Sequence, residues 1–167
     1  MEAWRLKEKT CCFTGHRVLP KGEIGIIAQR TAQEIRELIM CRGVRFFGVG
    51  GAIGYDTLAA KVLFQLKRWE FPAIRVILVY PFDGFTSRWT REQQGEYQRL
   101  LPQYDKVVRA EAYAGKNAYF SRNQHLVDGS RYCIAYCTRS SGGTAFTLQY
   151  AAMKGLEIRN IACRAPL

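Results

Sequence analysis

Along this chain the apolar positions gather into short runs, and between the runs they recur at helical spacing. Thr10–Thr14 (TCCFT) is the first run and stops at Gly15. Ile24, Ile27, Ala28, Thr31, Ile35, Leu38 and Ile39 then trace one helix face, with Gly43 as its C-terminal stop. A second run, carrying Phe46 and Phe47, gives way to Gly48, Gly50, Gly51 and Gly54. Leu58, Ala59, Val62, Leu63 and Leu66 follow at helical spacing as far as about Trp69, so Arg45–Ala60 reads as strand, glycine turn and helix. Pro72 breaks the chain before Ile74–Tyr80, whose continuous β-branched character predicts a strand buried on both faces. After a loop at Pro81–Gly84, the segment Ser87–Leu101 is expected to be an amphipathic helix anchored by Trp89, Tyr97 and Leu100 and closed by Pro102. The remaining expectations are a strand over Asp105–Arg109, a helix over Asn117–Asp128 and a strand over Tyr132–Tyr136. A polar turn over Thr138–Gly143, a helix over Thr144–Lys154 and a strand over Glu157–Ala162 complete them.

Six strands alternating with five helices predict an α/β fold: right-handed crossovers build a mostly parallel sheet covered on both faces. In such sheets ligands bind beyond the carboxyl ends of the strands, where the strand order reverses. The glycine and polar clusters of this chain all fall at that edge. With 167 residues and 48% hydrophobic content, one domain over 1–167 is the economical expectation.

Charge narrows the partners. Lys and Arg number 25 against 14 Asp and Glu, a formal charge of +11 that favours phosphorylated or polyanionic ligands. No apolar stretch approaches a membrane helix, and the N-terminal MEAWRLKEKT has no signal-type apolar segment, so a cytoplasmic protein without membrane contact is expected. The six cysteines lack zinc-site spacing and are expected to be reduced thiols, with no metal bound.

Three clusters are candidate chemistry. Gly50, Gly51 and Gly54, ahead of a helix, would let the backbone approach a phosphate that the helix N-terminus attracts. The spacing from Gly48 is G-x-G-x-x-x-G, one residue longer than the dinucleotide fingerprint, and no GxxxxGK[S/T] occurs. Ser141, Gly142, Gly143 and Thr144 form a second such turn, and two helix N-termini facing one crevice would suit a diphosphate. Gly15, His16 and Arg17 follow the first strand; Arg17 and Arg122 can pair with phosphate, and Asn123 can address ribose or base. Asp56 and His16 are the candidates for proton transfer, although a first-turn carboxylate and a loop histidine also have purely structural uses.

TGHR at 14–17, GGAIGYDTLAA at 50–60, PF at 81–82, Trp89, RNQHLVD at 122–128 and SGGTAFTLQYA at 141–151 together resemble the YpsA-like branch of the SLOG (SMF/DprA/LOG) superfamily. The resemblance spans roughly residues 10–163 with motif order preserved. It implies a single Rossmann-like nucleotide-binding domain, a three-layer sandwich, holding a nucleotide or nucleotide-derived ligand such as NAD or ADP-ribose. Carried over by position, the pocket would contain Gly15, His16, Arg17, Gly50, Gly51, Gly54, Asp56, Arg122, Asn123, Gly142, Gly143 and Thr144. The resemblance is also compatible with a homodimer. One departure matters: LOG enzymes carry PGGxGTxxE, whereas this chain has Gln149 where the glutamate would stand, and glutamine is neither acid nor base. Asp56 or Asp128 would have to substitute.

Three functions are therefore open. The first is a binding or sensor protein for a nucleotide-derived ligand, in which Arg122→Ala is expected to lose affinity while the fold survives. The second is a LOG-type nucleoside-phosphate N-glycoside hydrolase. The third is a single-stranded DNA-binding protein, with which the charge of +11 and the 13% aromatic content are compatible.

Overall fold

A computed structural model describes residues 2–110 and 117–163. Among these residues six strands form one all-parallel sheet: β1 (Thr10–Gly15), β2 (Phe46–Val49), β3 (Arg75–Tyr80), β4 (Lys106–Arg109), β5 (Tyr132–Tyr136) and β6 (Glu157–Asn160). Their spatial order is β4-β3-β2-β1-β5-β6. The chain walks outward from β1 to β4, then returns to place β5 on the other side of β1. The order thus reverses between β1 and β5, and the register sets Gly15 beside Tyr136 at the ends of these strands.

Helices α2 (Ile24–Arg42), α3 (Tyr55–Trp69) and α4 (Arg91–Leu100) cover one face, and α5 (Ala118–Asp128) and α6 (Gly143–Met153) the other. A short α1 (Ala3–Lys7) precedes β1, so the described residues hold six α-helices where the pattern predicted five. No helix among the described residues is long and apolar enough to cross a membrane.

Strand alternation sorts side chains between the two layers. Phe13, Phe47, Val49, Tyr132, Ile134 and Tyr136 face α2 and α3 in one buried cluster, while Cys12, Cys133 and Ala135 face α5 and α6 in the other. The second face is built from small residues. At Gly48, a methyl group would come within 2.9 Å of Leu126 on α5, so the glycine there admits the close approach of that helix. All six cysteines are free thiols, four of them buried.

Several boundaries differ from expectation for local reasons. α4 begins at Arg91 rather than Ser87 because Thr90 caps it: Gln93 N–H donates to Thr90 Oγ1 at 3.1 Å, and Thr90 N–H donates to Gln93 Oε1 at 3.0 Å. Trp89 stays in the preceding turn, edge-on to Phe85 at 5.4 Å and to Tyr97 at 5.9 Å. β6 ends at Asn160, whose side chain folds back to accept from Cys137 N–H and Ala162 N–H, and the strand gives way to a 3-10 turn over Ile161–Cys163.

Gly15 is fixed by packing. A methyl at this position would lie 2.4–2.5 Å from the ring and Cβ of Tyr55, which is fully buried and shares a 2.9 Å hydrogen bond with Thr31. Gly15→Ala is therefore expected to cost about 1–3 kcal/mol through overpacking, a fall of roughly 2–12 °C in melting temperature. Gly25→Ala, where a methyl meets nothing within 4 Å, is the control and should be neutral or slightly stabilising. Thermal melting of both variants checks the pair.

Candidate functional site

At the reversal between β1 and β5 lies a cavity of about 320 Å³. It is walled by the end of β1 (Thr14, Gly15) with His16, Arg17 and Val18, by Ala52 and Asp56, by Tyr119, Arg122 and Asn123 of α5, and by Arg139, Gly143 and Thr144. Of the residues expected at the site, Gly15, His16, Arg17, Asp56, Arg122, Asn123, Gly143 and Thr144 are brought together there. Gly50, Gly51, Gly54, Ser141 and Gly142 do not line it.

The two glycine turns differ. In the turn after β2, the backbone groups are largely taken by the protein itself. Tyr55 N–H, at the start of α3, donates to the His16 carbonyl at 3.0 Å, and Ala52 N–H donates to Asp56 Oδ2 at 3.2 Å. Thr57 Oγ1 donates to the Ala52 carbonyl at 2.9 Å, and the Arg122 guanidinium donates to the Gly50 carbonyl. Gly54 has φ +81°, and a Cβ on it would lie 2.3–2.5 Å from backbone atoms of His16 and Arg17. These glycines make a socket for the β1 loop, and a Cβ at Gly51 would point instead at Leu78 in the core.

The turn after β5 is open. Gly142 has φ +98°, a conformation that suits glycine, and a methyl group placed on either Gly142 or Gly143 would meet nothing within 4 Å. Among the described residues no side chain caps α6; its first intrahelical bond runs from Phe146 N–H to the Gly142 carbonyl at 2.9 Å. By helix geometry the N–H groups of Gly143, Thr144 and Ala145 have no acceptor within the helix, and Gly143 and Thr144 border the cavity. This is the end of a helix at which an anion is stabilised.

Two arginines stand exposed around it. Arg17 lies over the Tyr119 ring, 5.0 Å from its centroid, and Arg139 belongs to the loop between β5 and α6. Arg122 is different. It is only 4% exposed, donates through Nε to Asn123 Oδ1 at 2.7 Å, and holds the Gly50 carbonyl. A methyl on Gly50 would sit 2.8 Å from both Arg122 Nη1 and Asp56 Oδ2, so the turn is clamped between these two groups. Burial pushes the Asp56 carboxyl above its ordinary range, opposed by the Arg122 charge, the Ala52 N–H and Arg17. Asn123 is likewise engaged, donating to Thr147 Oγ1 at 3.0 Å. Arg122 thus supports the glycine turn, which changes the expected outcome of removing it.

His16 ties two loops together across the crevice: its Nε2 accepts from Thr138 N–H at 2.8 Å and lies 3.1 Å from Thr138 Oγ1. That bond places the ring proton on Nδ1 when His16 is neutral. Burial, then the nearby Arg139 charge, lowers its pKa from the ordinary 6.5. The alternative acids lie elsewhere. Gln149 is exposed and does not line the cavity, and Asp128 accepts from Tyr150 Oη at 2.6 Å while pairing with Lys154 at 3.7 Å.

Sequence reading missed Thr14, Val18, Ala52, Tyr119 and Arg139. Tyr119 was accessible from helical spacing, since it lies three residues before Arg122 and four before Asn123. Arg139 stands inside the polar turn TRSSGG, whose hydroxyls and glycines carry the stronger motif signal.

Arg122→Ala should destabilise the protein by about 3 kcal/mol, because it strands the buried Asp56 carboxylate and the Gly50 carbonyl. Arg122→Ala combined with Asp56→Asn should recover part of that loss in urea unfolding. Since the folded state disfavours protonated His16, its contribution to stability is full above pH 6.5 and is lost as pH falls below that value. The melting temperature of His16→Gln should accordingly decline less than that of the parent between pH 7 and pH 5.

Comparison with known proteins agrees with this architecture. The family model of the YspA SLOG family matches residues 19–163. A UPF0398 protein of Staphylococcus epidermidis is 26% identical over 114 residues, covering 67% of this chain and 60% of that protein. This chain thus spans under two thirds of that relative's length. The SPβ prophage-derived protein YoqJ of Bacillus subtilis is 30% identical over 129 residues, covering 70% of this chain and 75% of that one. Among solved structures, DNA processing protein A (DprA) from Streptococcus pneumoniae superposes with a TM-score of 0.60 at 20% identity, covering 92% of this chain and 50% of that one. DNA processing protein A from Helicobacter pylori gives a TM-score of 0.52 at 16% identity, covering 89% and 62%. The family match over residues 19–163, most of the chain, shows that this chain belongs to the YspA SLOG family, and the all-parallel sheet reversing between β1 and β5 is the fold that goes with it.

Proposed function

We propose that this protein binds a nucleotide or nucleotide-derived ligand, of the NAD or ADP-ribose kind, through its phosphates at the crevice between β1 and β5. It acts on this reading as a binding or sensor protein. The observation that carries it is the uncapped N-terminus of α6, which opens onto a 320 Å³ cavity beside the exposed Arg17 and Arg139. Backbone N–H groups, a helix dipole and two guanidinium groups form an environment suited to phosphate oxygens. Hydrolysis of a base–ribose bond is less well supported. Asp56 is the sole carboxylate among the described cavity-lining residues, and it already serves the glycine turn.

A second reading rests on fold and charge. The Helicobacter pylori structure is described as showing a single-stranded DNA binding mode, and the present chain carries a formal charge of +11. Binding of an oligonucleotide that falls steeply with salt would favour this reading, and negligible binding at about 50 mM salt would remove it.

Arg17→Ala and Arg139→Ala should each weaken binding of ADP or ADP-ribose about tenfold in calorimetric titration, the scale of one charge-assisted contact. Both side chains are exposed, so melting temperatures without ligand should shift by no more than about 2 °C. Unaltered affinity in both variants would overturn the assignment. Release of free base from any member of a nucleotide panel would restore the hydrolase reading.

A further inference from the structure

Beside the polar cavity runs a second hollow of about 690 Å³, which shares Arg17, Tyr119, Asn123 and Gly143 with it and continues over Phe120 and Phe146. Its character is different. Phe146 is 54% exposed and is held in place by Phe120, whose ring centroid is 4.5 Å away. Phe120 is in turn set edge-on to Tyr150 at 5.9 Å, so the exposed ring has a fixed support. Tyr119, at the junction of the two hollows, is braced by Phe82 at 5.5 Å and carries Arg17 on its face.

The placement on α6 joins the two hollows chemically. Phe146 is the residue whose N–H closes the first turn of the helix, so its Cα lies within one turn of the open N–H groups, about 4.5 Å along the axis beyond Gly143. An anion held at Gly143 and Thr144 therefore has an aromatic surface within one helical turn. Resting on the phosphate-binding reading above, we infer that Phe146, supported by Phe120, is a stacking platform for the base of the same nucleotide. The polar cavity takes the phosphate, and the platform takes a planar aromatic ring. Stacking of this kind accepts any base and favours the larger purine surface, because it uses the π-face and not an edge.

AMP and ribose 5-phosphate differ only in the base, which makes them the discriminating probes. Calorimetric affinities for both would be measured with the parent protein, Phe146→Ala and Phe146→Trp, with melting temperature as the check on folding. The expected result is that the parent prefers AMP, that Phe146→Ala loses about tenfold in AMP affinity with ribose 5-phosphate unchanged, and that Phe146→Trp keeps the preference. An AMP preference that survives Phe146→Ala intact would overturn the platform and leave the phosphate site standing. Failure of the parent to bind either compound would overturn the phosphate-binding reading and the platform with it. Loss in Phe146→Ala of oligothymidylate binding, by a protein that ignores AMP, would assign the ring to nucleic acid and overturn the nucleotide proposal.

Discussion

The guanidinium of Arg122 is buried beneath a glycine turn, and much of the crevice depends on it. A charge with 4% exposure carries a large desolvation penalty, and it is tolerated here because its donors meet the Gly50 carbonyl and Asn123 while Asp56 faces the same turn. The contacts run through three separate parts of the chain. α5 supplies the arginine, the β2–α3 connection supplies its acceptor, and Asn123 passes the constraint to Thr147 on α6. Gly50 has no room for a side chain because the two charged groups occupy the place where one would stand.

From that clamp the division of labour between the two glycine turns follows. The turn after β2 is drawn inward, its helix end stoppered by the His16 carbonyl, and in return it fixes the loop leaving β1. The turn after β5 has no equivalent partner among the described residues and remains turned to the solvent, steadied from one side by the bond between Thr138 and His16. The same local pattern, strand to glycine to helix, has produced one structural joint and one open helix end.

The architecture was largely legible from the chain. Runs such as Ile74–Tyr80 and Tyr132–Tyr136 have the continuous apolar character that suits a sheet covered on both faces, and all six strands, the more polar edge strands β4 and β6 included, fall where the pattern placed them. Boundaries were less legible where a single side chain decides them, as with the Thr90 cap and the Asn160 fold-back. The sequence motifs converge on one crevice, because glycine turns at strand ends collect at one edge whatever their detailed roles. They did not separate Arg122 from Arg17. Both are arginines within recognisable motifs, and only the packing of α5 against the β2 turn shows that one is buried in support of the backbone while the other stands over the Tyr119 ring in solvent.

Asp56 has a consequence for the crevice as a whole. Its carboxylate accepts the Ala52 N–H at 3.2 Å, doing at the first turn what a bound phosphate does at glycine turns elsewhere. Among the described residues lining the cavity, the α3 side thus carries a resident carboxylate and the α6 side carries none. That makes the crevice electrostatically handed. On the phosphate-binding reading, the anionic end of a linear ligand is favoured at the open α6 end, since on the α3 side the Ala52 N–H is already taken by Asp56.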